Sequence, residues 1–454
     1  MENNKLLAGF GRVNITPPMG IPISGYFVDR FAEGVLDELE IQALAVSDGE
    51  NRAVIMVADL VGVKAAQLFR YRESVSKATG VPAEAVFIAS THTHTGPVVL
   101  ESSIMEKNKE FAFYLETLES RFCDAARFAL QDLRPAKMGY GIAQAPNIAF
   151  VRRFRMKDGK VRTNPGVGNP DILHPLGDVD ERVNVLRFAR EGGEDLVLVN
   201  FGVHPDTVGG SLISADYPRF VRETVENALP GTRCLFLNGA QGDVNHVNVN
   251  AKGGDKNGLV PMFDDCDRGY EHAKHMGRTI AGAVLQIFGK VNFVDVDAVR
   301  FGCSTCSIPS NMPKAEDLPQ ARVYAALHKA GKDSEIPYQG MELTTVVAES
   351  LRMLQLEHGP ESFELPLSAL AIGPAALIGI PGEPFTGIGR GLKDGSPYTI
   401  TLPCCAANGY EGYFPMQDAY DEGGYEARSS RFAAGVAEKL IAGGLQLLGE
   451  VYQK

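Results

Sequence analysis

The chain passes from an apolar run to a paired-histidine motif within residues 85–97, whose sequence is AVFIASTHTHTGP. The apolar part, residues 85–89, predicts a buried strand, and the polar part follows it directly. Side chains two residues apart in an extended segment lie on the same side, so His92 and His94 can face one cleft together. This placement indicates a metal-binding or catalytic role at a sheet edge. The alternative is a pair of loop histidines that hydrogen bond to their threonine neighbours.

Two further predicted strands also end in polar loops. Residues 195–201 are followed by His204 and by Asp206, a carboxylate close enough in sequence to orient an imidazole. For His204, a structural histidine in a turn is the alternative. Residues 234–237 are followed by a glycine-containing loop that offers hydrogen-bond donors and acceptors together. The polar members of that loop are Asn238, Gln241, Asp243, Asn245 and His246. The loop has no Walker lysine, which disfavours a phosphate-binding site.

A fourth predicted strand, residues 376–380, is followed by Glu383, which lies between Pro381 and Pro384. The prolines restrict the backbone, so this carboxylate is well fixed. In isolation it could equally cap a helix that begins near Phe385. Taken together, the four strand ends supply two histidine segments and a carboxylate. Such a set binds a catalytic divalent ion, with zinc as the best match, and leaves a position open for water.

The composition is that of a globular protein with an acidic surface. Of the 454 residues, 44% are hydrophobic and 22% are charged, and the net charge is −12. This balance excludes a largely disordered or fibrous chain, and the lack of a dense basic stretch argues against nucleic acid as a partner. The first residues do not resemble a secretory signal, and the most apolar stretch, residues 365–380, is interrupted by Pro366 and by Gly373-Pro374. We therefore expect a cytoplasmic protein without an integral membrane segment, in which residues 365–380 form two strands joined by a turn.

Glycine and proline separate many short apolar runs, a pattern typical of short strands and loops with helices between them. Strands and helices do not alternate regularly, so we predict an α/β fold of mixed β-sheets flanked by helices, forming one large catalytic domain over residues 1–454. A strand is predicted at residues 291–301 and the last helix at residues 430–448. Residues 153–180 are predicted to be a long functional loop, and residues 250–268 a lid.

In their order along the chain, these motifs resemble the catalytic domain of the neutral (alkaline, non-lysosomal) ceramidase family. The motifs are GRVNITPP at residues 11–18, THTHTGP at 91–97, GDV at 242–244 and PGEPFT at 381–386. Near the end of the chain, Asn408, Tyr410 and Tyr413 match the family's Asn-x-Tyr-x-x-Tyr pattern, and Tyr425 matches a tyrosine that follows it. The resemblance covers essentially the whole chain and is confined to the catalytic domain, so we expect no C-terminal β-sandwich domain.

The resemblance implies a zinc-dependent amidase with one zinc ion per chain. The metal ligands that it implies are His92, His204, Glu383 and Tyr413. It further implies that His94 is a substrate-facing proton shuttle or donor and that Tyr425 helps to hold the tetrahedral intermediate. The arginine beside the family's site corresponds to Arg152, with Arg153 as the rival assignment. One position departs from the family, because Asn245 stands where the family has a serine. Asparagine cannot act as that nucleophile, although its amide can donate to an oxyanion.

We therefore expect a hydrolase that cleaves an amide (N-acyl) bond through a metal-activated water. Its small-molecule substrate is expected to be smaller and more soluble than ceramide. The side chains expected to bind substrate or to support the ligands are Asp206, Asn238, Gln241, Asp243 and Asn245. Of these, Asp206 and Asp243 are the candidates for orienting the histidines.

Two alternatives to the hydrolase stay open. A metal-dependent lyase or isomerase could use the same ion on a polar hydroxy-carbonyl or sugar-like substrate. A non-catalytic ligand-binding homologue is the other alternative, and the retention of all four ligand positions argues against it. The sequence leaves the oligomeric state open.

Overall fold

The computed structural model describes residues 6–99, 109–249 and 269–454, which form strands and helices numbered here in chain order. The strands are β1 Leu7–Asn14, β2 Pro22–Ile23, β3 Arg30–Phe31, β4 Gly34–Val35, β5 Glu40–Ser47, β6 Arg52–Ala58, β7 Val86–Ser90, β8 Arg134–Gln144, β9 Phe150–Val151, β10 Arg153–Met156, β11 Val161–Thr163, β12 Ile172–Pro175, β13 Arg182–Arg190, β14 Asp195–Phe201, β15 Leu212–Ile213, β16 Thr232–Asn238, β17 Val244–Asn245, β18 Asn292–Val294, β19 Val299–Pro309, β20 Ser362–Ile372, β21 Ala375–Gly379, β22 Glu383–Pro384, β23 Ile400–Cys404 and β24 Tyr413–Phe414. The helices are α1 Ala65–Thr79, α2 Lys109–Gln131, α3 Tyr217–Ala228, α4 Tyr270–Phe288, α5 Leu318–Lys329, α6 Gly340–Leu356, α7 Thr386–Gly395, α8 Gln417–Glu422, α9 Tyr425–Ser429 and α10 Val436–Gln453. The predicted lid, residues 250–268, lies outside the described residues.

The largest sheet has nine strands and contains both parallel and antiparallel pairs. Its order is β16-β14-β13-β8-β1-β5-β6-β7, and β18 pairs with β8 beside that path. The two ends of the sheet are parallel pairs, β14 with β16 and β6 with β7, whereas the pairs between them are antiparallel. The sheet bends back on itself, because β16 packs against β5, β6 and β7. This curvature brings the loops that follow β7 and β16 together.

A second sheet of four strands, ordered β19-β20-β21-β23, provides the other half of the site. Strands β20 and β21 form an antiparallel pair, and Gly373 in the turn between them has a φ of 52°, a backbone conformation that glycine adopts without strain. The predicted pair of strands within residues 365–380 is therefore confirmed. Strands β21 and β23 are parallel, so the segments that follow them run side by side and form the short parallel pair of β22 and β24.

Helices cover both sheets and bury the apolar faces of the strands. Helix α2 packs on β1 and β5, α3 packs on α4 and β16, and α10 packs on β19 and β20. The predicted α/β class with mixed sheets flanked by helices is confirmed. Throughout the described ranges, each helix is too short or too polar to reach across a bilayer.

Three local predictions are wrong. Residues 153–180 contain β10, β11 and β12, which form a three-stranded sheet instead of a long loop, because their few apolar side chains alternate with polar ones and turn inward. The strand predicted at residues 291–301 is divided between β18 and β19, which belong to different sheets. The last helix begins at Val436 and not at Ser430, since Gly435 has a φ of 93° and Phe432 bridges to Ser310.

The packing of the loops after β14 and β16 gives a first prediction. A Cβ atom on Gly202 would lie closer than 3.0 Å to the carbonyl oxygen of Ala240. The other near atoms also belong to the backbone of Ala240, which cannot move independently of its strand. We predict that Gly202→Ala destabilises the protein by about 1–3 kcal/mol, the usual cost of overpacking a close contact. The measurement is the midpoint of urea unfolding.

The matched control is Gly282→Ala in α4, where the added Cβ meets no atom within 4 Å. Alanine is the better helix former, so this variant is expected to be neutral or more stable by up to about 1 kcal/mol. Equal midpoints for the two variants would show that the loops are not held as closely as described.

Candidate metal centre

His92 follows β7 in a backbone conformation that fixes its imidazole. Its φ of 75° lies in the left-handed region, which is uncommon for a residue with a side chain and is often found at functional sites. Its backbone N–H donates to the carbonyl of Leu60 at 2.9 Å. The Nδ1 atom lies 2.6 Å from the carbonyl oxygen of Val61. Because a carbonyl only accepts, Nδ1 carries the proton, and Nε2 is left with a free lone pair.

The loop after β14 brings a third imidazole to the two that follow β7. Nε2 of His94 lies 3.3 Å from Nε2 of His92 and 3.1 Å from Nε2 of His204. His92 and His204 are buried, whereas His94 is half-buried. Burial and the nearby Arg152 lower the pKa of His204 well below its ordinary value, so its imidazole is neutral. The three side chains together can hold a metal ion.

Glu383 closes the other side of this histidine group. Its Oε2 atom lies 3.4 Å from Nε2 of His92 and 3.7 Å from Nδ1 of His204. Its Oε1 atom accepts a hydrogen bond of 2.8 Å from the hydroxyl of Tyr410. Burial alone would raise the pKa of Glu383, but His92, His204 and Arg152 together hold it below its ordinary value. The carboxylate is therefore ionised and aimed at the imidazoles.

Two buried atoms at this point are suited to bind a cation. Among the described residues, neither Oε2 of Glu383 nor Nδ1 of His204 has a hydrogen-bond partner. A buried polar atom that lacks a partner costs about 1–3 kcal/mol, so native structures retain such atoms where they bind something. Imidazole nitrogen and carboxylate oxygen are the usual zinc ligands, and two ligands of a tetrahedral zinc ion lie roughly 3.3 Å apart. The spacings of 3.4 and 3.7 Å around Oε2 suit that geometry.

Arg152 and two tyrosines line the substrate side of the centre. Nε of Arg152 lies 2.7 Å from Oε1 of Glu426, and Nη2 donates to the carbonyl of Gly242 at 2.6 Å. Its guanidinium lies 5.3 Å from the ring centre of Tyr413, whose ring centre is 5.5 Å from that of Tyr425. Tyr413 is the β-sheet partner of Glu383. Burial and the charge of Glu383 raise the pKa values of both tyrosines, so their hydroxyls stay protonated and can donate.

The rival arginine has different surroundings. Arg153 donates to the Oε2 atom of Glu422 and to the carbonyl of Gly423, both at 3.0 Å. Arg152 lines the cavity beside the histidines. The structure therefore places Arg152 in the same cavity lining as His94 and His204.

Two of the supporting residues connect the strand-end loops. Asn238 donates its Nδ2 to the carbonyl of Thr91 at 3.1 Å and so joins β16 to the histidine loop. Asp243 accepts from the backbone and the hydroxyl of Thr386, at 2.7 and 2.9 Å, at the start of α7. Gln241 is fully buried, in the turn between these two residues.

Asn245 and Asp206 lie next to the cavity. Nδ2 of Asn245 donates to Oδ1 of Asn164 at 3.0 Å. Oδ1 of Asp206 lies 3.1 Å from Nδ1 of His246, and Asp206 itself lines the cavity beside His204. Asp206 thus contacts His246, a histidine outside the group of His92, His94 and His204.

Two cavities meet at this centre. One has a volume of about 370 Å³ and the other about 440 Å³. The residues that line both are Gly25, Tyr26, Phe27, Val28, His94, Tyr413 and Tyr425. The first cavity continues along α6 past Met341, Leu343 and Val347, and the second continues past Asp29 and Ser429. His94 and the two tyrosines are therefore at the junction of two arms.

Solved structures of ceramidases share this fold. The crystal structure of neutral ceramidase from Pseudomonas aeruginosa matches with a TM-score of 0.72 at 18% sequence identity, over 99% of this chain and 75% of that one. A ceramidase complexed with C2 matches with a TM-score of 0.70 at 16% identity, over the same shares of the two chains. No protein-family model and no curated protein matches the sequence. The chain thus has the fold of the neutral ceramidases, as its motifs led us to expect.

Sequence reasoning assigned no role to three side chains that shape the site. Tyr410 holds Oε1 of Glu383, Glu426 holds Arg152, and His246 holds Asp206. Tyr410 is the middle residue of the Asn-x-Tyr-x-x-Tyr motif, and Glu426 directly follows Tyr425, so their positions in the motifs were the available signal. The partner of His246 could not be inferred, because its contact joins two loops that are 40 residues apart.

The hydrogen bond between Tyr410 and Glu383 gives the second prediction. Tyr410→Phe removes the donor that fixes the carboxylate, and the loss of such a supporting hydrogen bond typically weakens metal binding by about 10–100-fold. We predict weaker zinc binding of that size, measured by competition with a chromophoric chelator.

The control is Tyr420→Phe, which removes a hydroxyl that donates to the carbonyl of Phe432 at 2.7 Å, away from the centre. This variant is expected to keep the parent affinity for zinc. An unchanged affinity in Tyr410→Phe would mean that the carboxylate does not depend on this hydroxyl or does not bind the ion.

Proposed function

We propose that the protein is a zinc-dependent hydrolase that cleaves an amide (N-acyl) bond. The observation that carries the proposal is the convergence of Nε2 of His92, Nδ1 of His204 and Oε2 of Glu383 at one buried point. The fold shared with the neutral ceramidases supports the same class of reaction. We further propose that one zinc ion is bound per chain.

Two sets of ligands are compatible with the distances, and we favour one of them. The three-histidine set would use Nε2 of His204 together with His94, and the other set would use Nδ1 of His204 together with Glu383. The atoms left without a hydrogen-bond partner, Oε2 of Glu383 and Nδ1 of His204, belong to the second set. Tyr413, as the strand partner of Glu383, is the fourth proposed ligand. This choice leaves His94 on the cavity side, where it can act on a substrate.

When bound, zinc polarises a carbonyl group and lowers the pKa of a bound water to about 7. The protein's own groups then have distinct tasks. His94 lies at the junction of the cavities, with its Nε2 atom 3.3 Å from Nε2 of His92 and 3.1 Å from Nε2 of His204. It can therefore accept a proton there and deliver it to the leaving amine.

Tyr425 and Arg152 are proposed to stabilise the oxyanion that develops from the amide carbonyl. The hydroxyl of Tyr425 is kept protonated by burial and by the charge of Glu383. Arg152 is held in place by Glu426 and by the carbonyl of Gly242, so it does not have to reorganise as charge develops. Donors fixed in advance in a water-poor site are the main source of such stabilisation.

The two arms of the cavity fit the two substituents of an amide. The arm along α6 is lined by Met341, Leu343 and Val347, so we propose that it holds the acyl chain. We assign the amine portion to the other arm, which includes Asp29 and Ser429. Volumes of about 370 and 440 Å³ are toward the lower end of the range for small-molecule sites. We propose that the substrate that spans the two arms is smaller and more soluble than ceramide.

The third prediction concerns metal content. We expect about one zinc per chain in the purified protein, the stoichiometry of a single set of ligands. Glu383→Ala and His204→Ala are expected to lose the zinc, because each removes a proposed ligand. His94→Ala is expected to keep the zinc and to lose amide hydrolysis. The measurements are plasma mass spectrometry and the release of amine from N-acyl substrates.

The outcomes separate the alternatives. Loss of zinc in His94→Ala with retention in Glu383→Ala would replace the proposed ligands by the three histidines. Turnover without incorporation of oxygen from ¹⁸O-labelled water would indicate a lyase or isomerase. A parent protein that binds no stoichiometric metal even when zinc is offered would overturn the hydrolase proposal.

The fourth prediction tests the assignment of the acyl arm. Val347→Phe fills the arm along α6. In a hydrophobic pocket, the space for one methylene group is worth about 1–3 kcal/mol in the discrimination between substrates. The kcat/KM for substrates with longer acyl chains should therefore fall by roughly tenfold or more. Activity on N-acetyl substrates is expected to change little. Val323→Phe, at an exposed position of α5, is the control. Equal losses of kcat/KM for substrates with short and with long acyl chains would contradict the assignment.

A further inference from the structure

A second group of histidines lies outside the proposed zinc centre. His246 directly follows β17 and is 0% exposed. His272 and His275 are one turn apart on α4, with ring centres 5.9 Å from each other. The ring centre of His272 lies 5.8 Å from that of His246. The loop after β17 and helix α4 thus bring imidazoles from distant parts of the sequence together.

The hydrogen bonds of this group leave two nitrogen atoms without partners. Nδ1 of His246 lies 3.1 Å from Oδ1 of Asp206, and because an ionised carboxylate only accepts, Nδ1 carries the proton. Nε2 of His246 is then a lone-pair nitrogen, and it is buried with no hydrogen-bond partner among the described residues. Nε2 of His272 is also buried and, within the same described ranges, has no partner.

The electrostatic surroundings keep these imidazoles available as ligands. Burial, with the neighbouring His246 and His275, lowers the pKa of His272 to about 4, so it is neutral at physiological pH. A neutral imidazole with a buried, unpartnered nitrogen is the form that binds transition metals. A carboxylate bonded to the other ring nitrogen, as Asp206 is to His246, is the usual support for a metal-bound histidine.

We propose that His246 and His272 bind a second transition-metal ion, with Asp206 as the carboxylate that orients His246. Imidazoles that share one ion, with metal–nitrogen distances near 2.0–2.1 Å, have ring centres about 5–6 Å apart, which matches the 5.8 Å between these two rings. Imidazole ligands suit zinc, copper, nickel and cobalt ions. With two protein ligands the site binds more weakly than the proposed zinc centre, and water completes its coordination.

The position of Asp206 gives the second site a connection to the first. Asp206 lines the cavity beside His204, and its charge acts on that imidazole. An ion bound to His246 would act on the same carboxylate through the contact between His246 and Asp206. The second site is therefore expected to modulate the first, although its existence does not depend on the hydrolase proposal.

The test uses the full chain with zinc already bound. Isothermal titration with Ni²⁺ is expected to show one further equivalent of metal in the parent protein, with mass spectrometry confirming that the zinc stays in place. His272→Ala is expected to bind this second equivalent at least about tenfold more weakly, the size of effect seen when a metal site loses a contact. His358→Ala, which removes an exposed histidine elsewhere, is expected to behave as the parent does.

Because His246 is buried and its replacement could disturb folding, His272→Gln is the second variant, and it should also lose the additional equivalent while unfolding at the parent temperature. The proposal is overturned if the parent binds no second equivalent up to millimolar free Ni²⁺. It is equally overturned if His272→Ala binds Ni²⁺ as tightly as the parent. Neither result would bear on the zinc content of the first centre, so the two proposals can fail separately.

Discussion

The buried carboxylate of Glu383 needs compensation, and the surrounding structure is arranged to provide it. Glu383 is 1% exposed, and an ionised carboxylate without partners in a protein interior is strongly unfavourable. The chain places a phenol against Oε1, imidazoles on two sides of Oε2 and a guanidinium nearby. These partners come from the loops after β7, β14 and β23 and from the segment next to β9. The centre can therefore form only when both sheets are assembled, and a bound cation would add to the compensation already present.

The backbone around Glu383 explains why the strand ends can meet so closely. The parallel pairing of β21 with β23 places Glu383 beside Tyr413. The loop after β16 then joins this pair, because the N–H of Gly242 donates to the carbonyl of Pro384 at 2.9 Å. A side chain at Gly242 would meet the backbone carbonyl of Glu383 closer than 3.0 Å. The glycines of the strand-end loops thus allow the two sheets to pack closely. The positions of the proposed ligands depend on that packing.

Much of this arrangement could be predicted because apolar runs mark buried strands and the polar residues after them mark strand ends. His92, His204 and Glu383 follow such runs, and the structure brings them together. The contacts of Tyr410, Glu426 and His246 could not be predicted, since each joins segments whose proximity depends on how the two sheets pack. The polar stretch that contains β10, β11 and β12 was misleading for a related reason. Its short strands are stabilised by pairing with one another, and their periodicity is too brief to detect.

The environment of Asn245 bears on which nucleophile the site can use. Its amide donates to Asn164, its Oδ1 accepts from the backbone of Val247 at 3.0 Å, and the side chain is fully buried. Asn164, held in this way, has a φ of 47° and lines the first cavity. The side chain of Asn245 therefore supports the cavity wall through Asn164, and it carries no hydroxyl group. The proposed hydrolase therefore takes no nucleophile from residue 245, and in the proposed mechanism the proton transfers fall to the groups that face the junction of the two cavities. His94, half-buried and next to the buried imidazoles, is the group in that position.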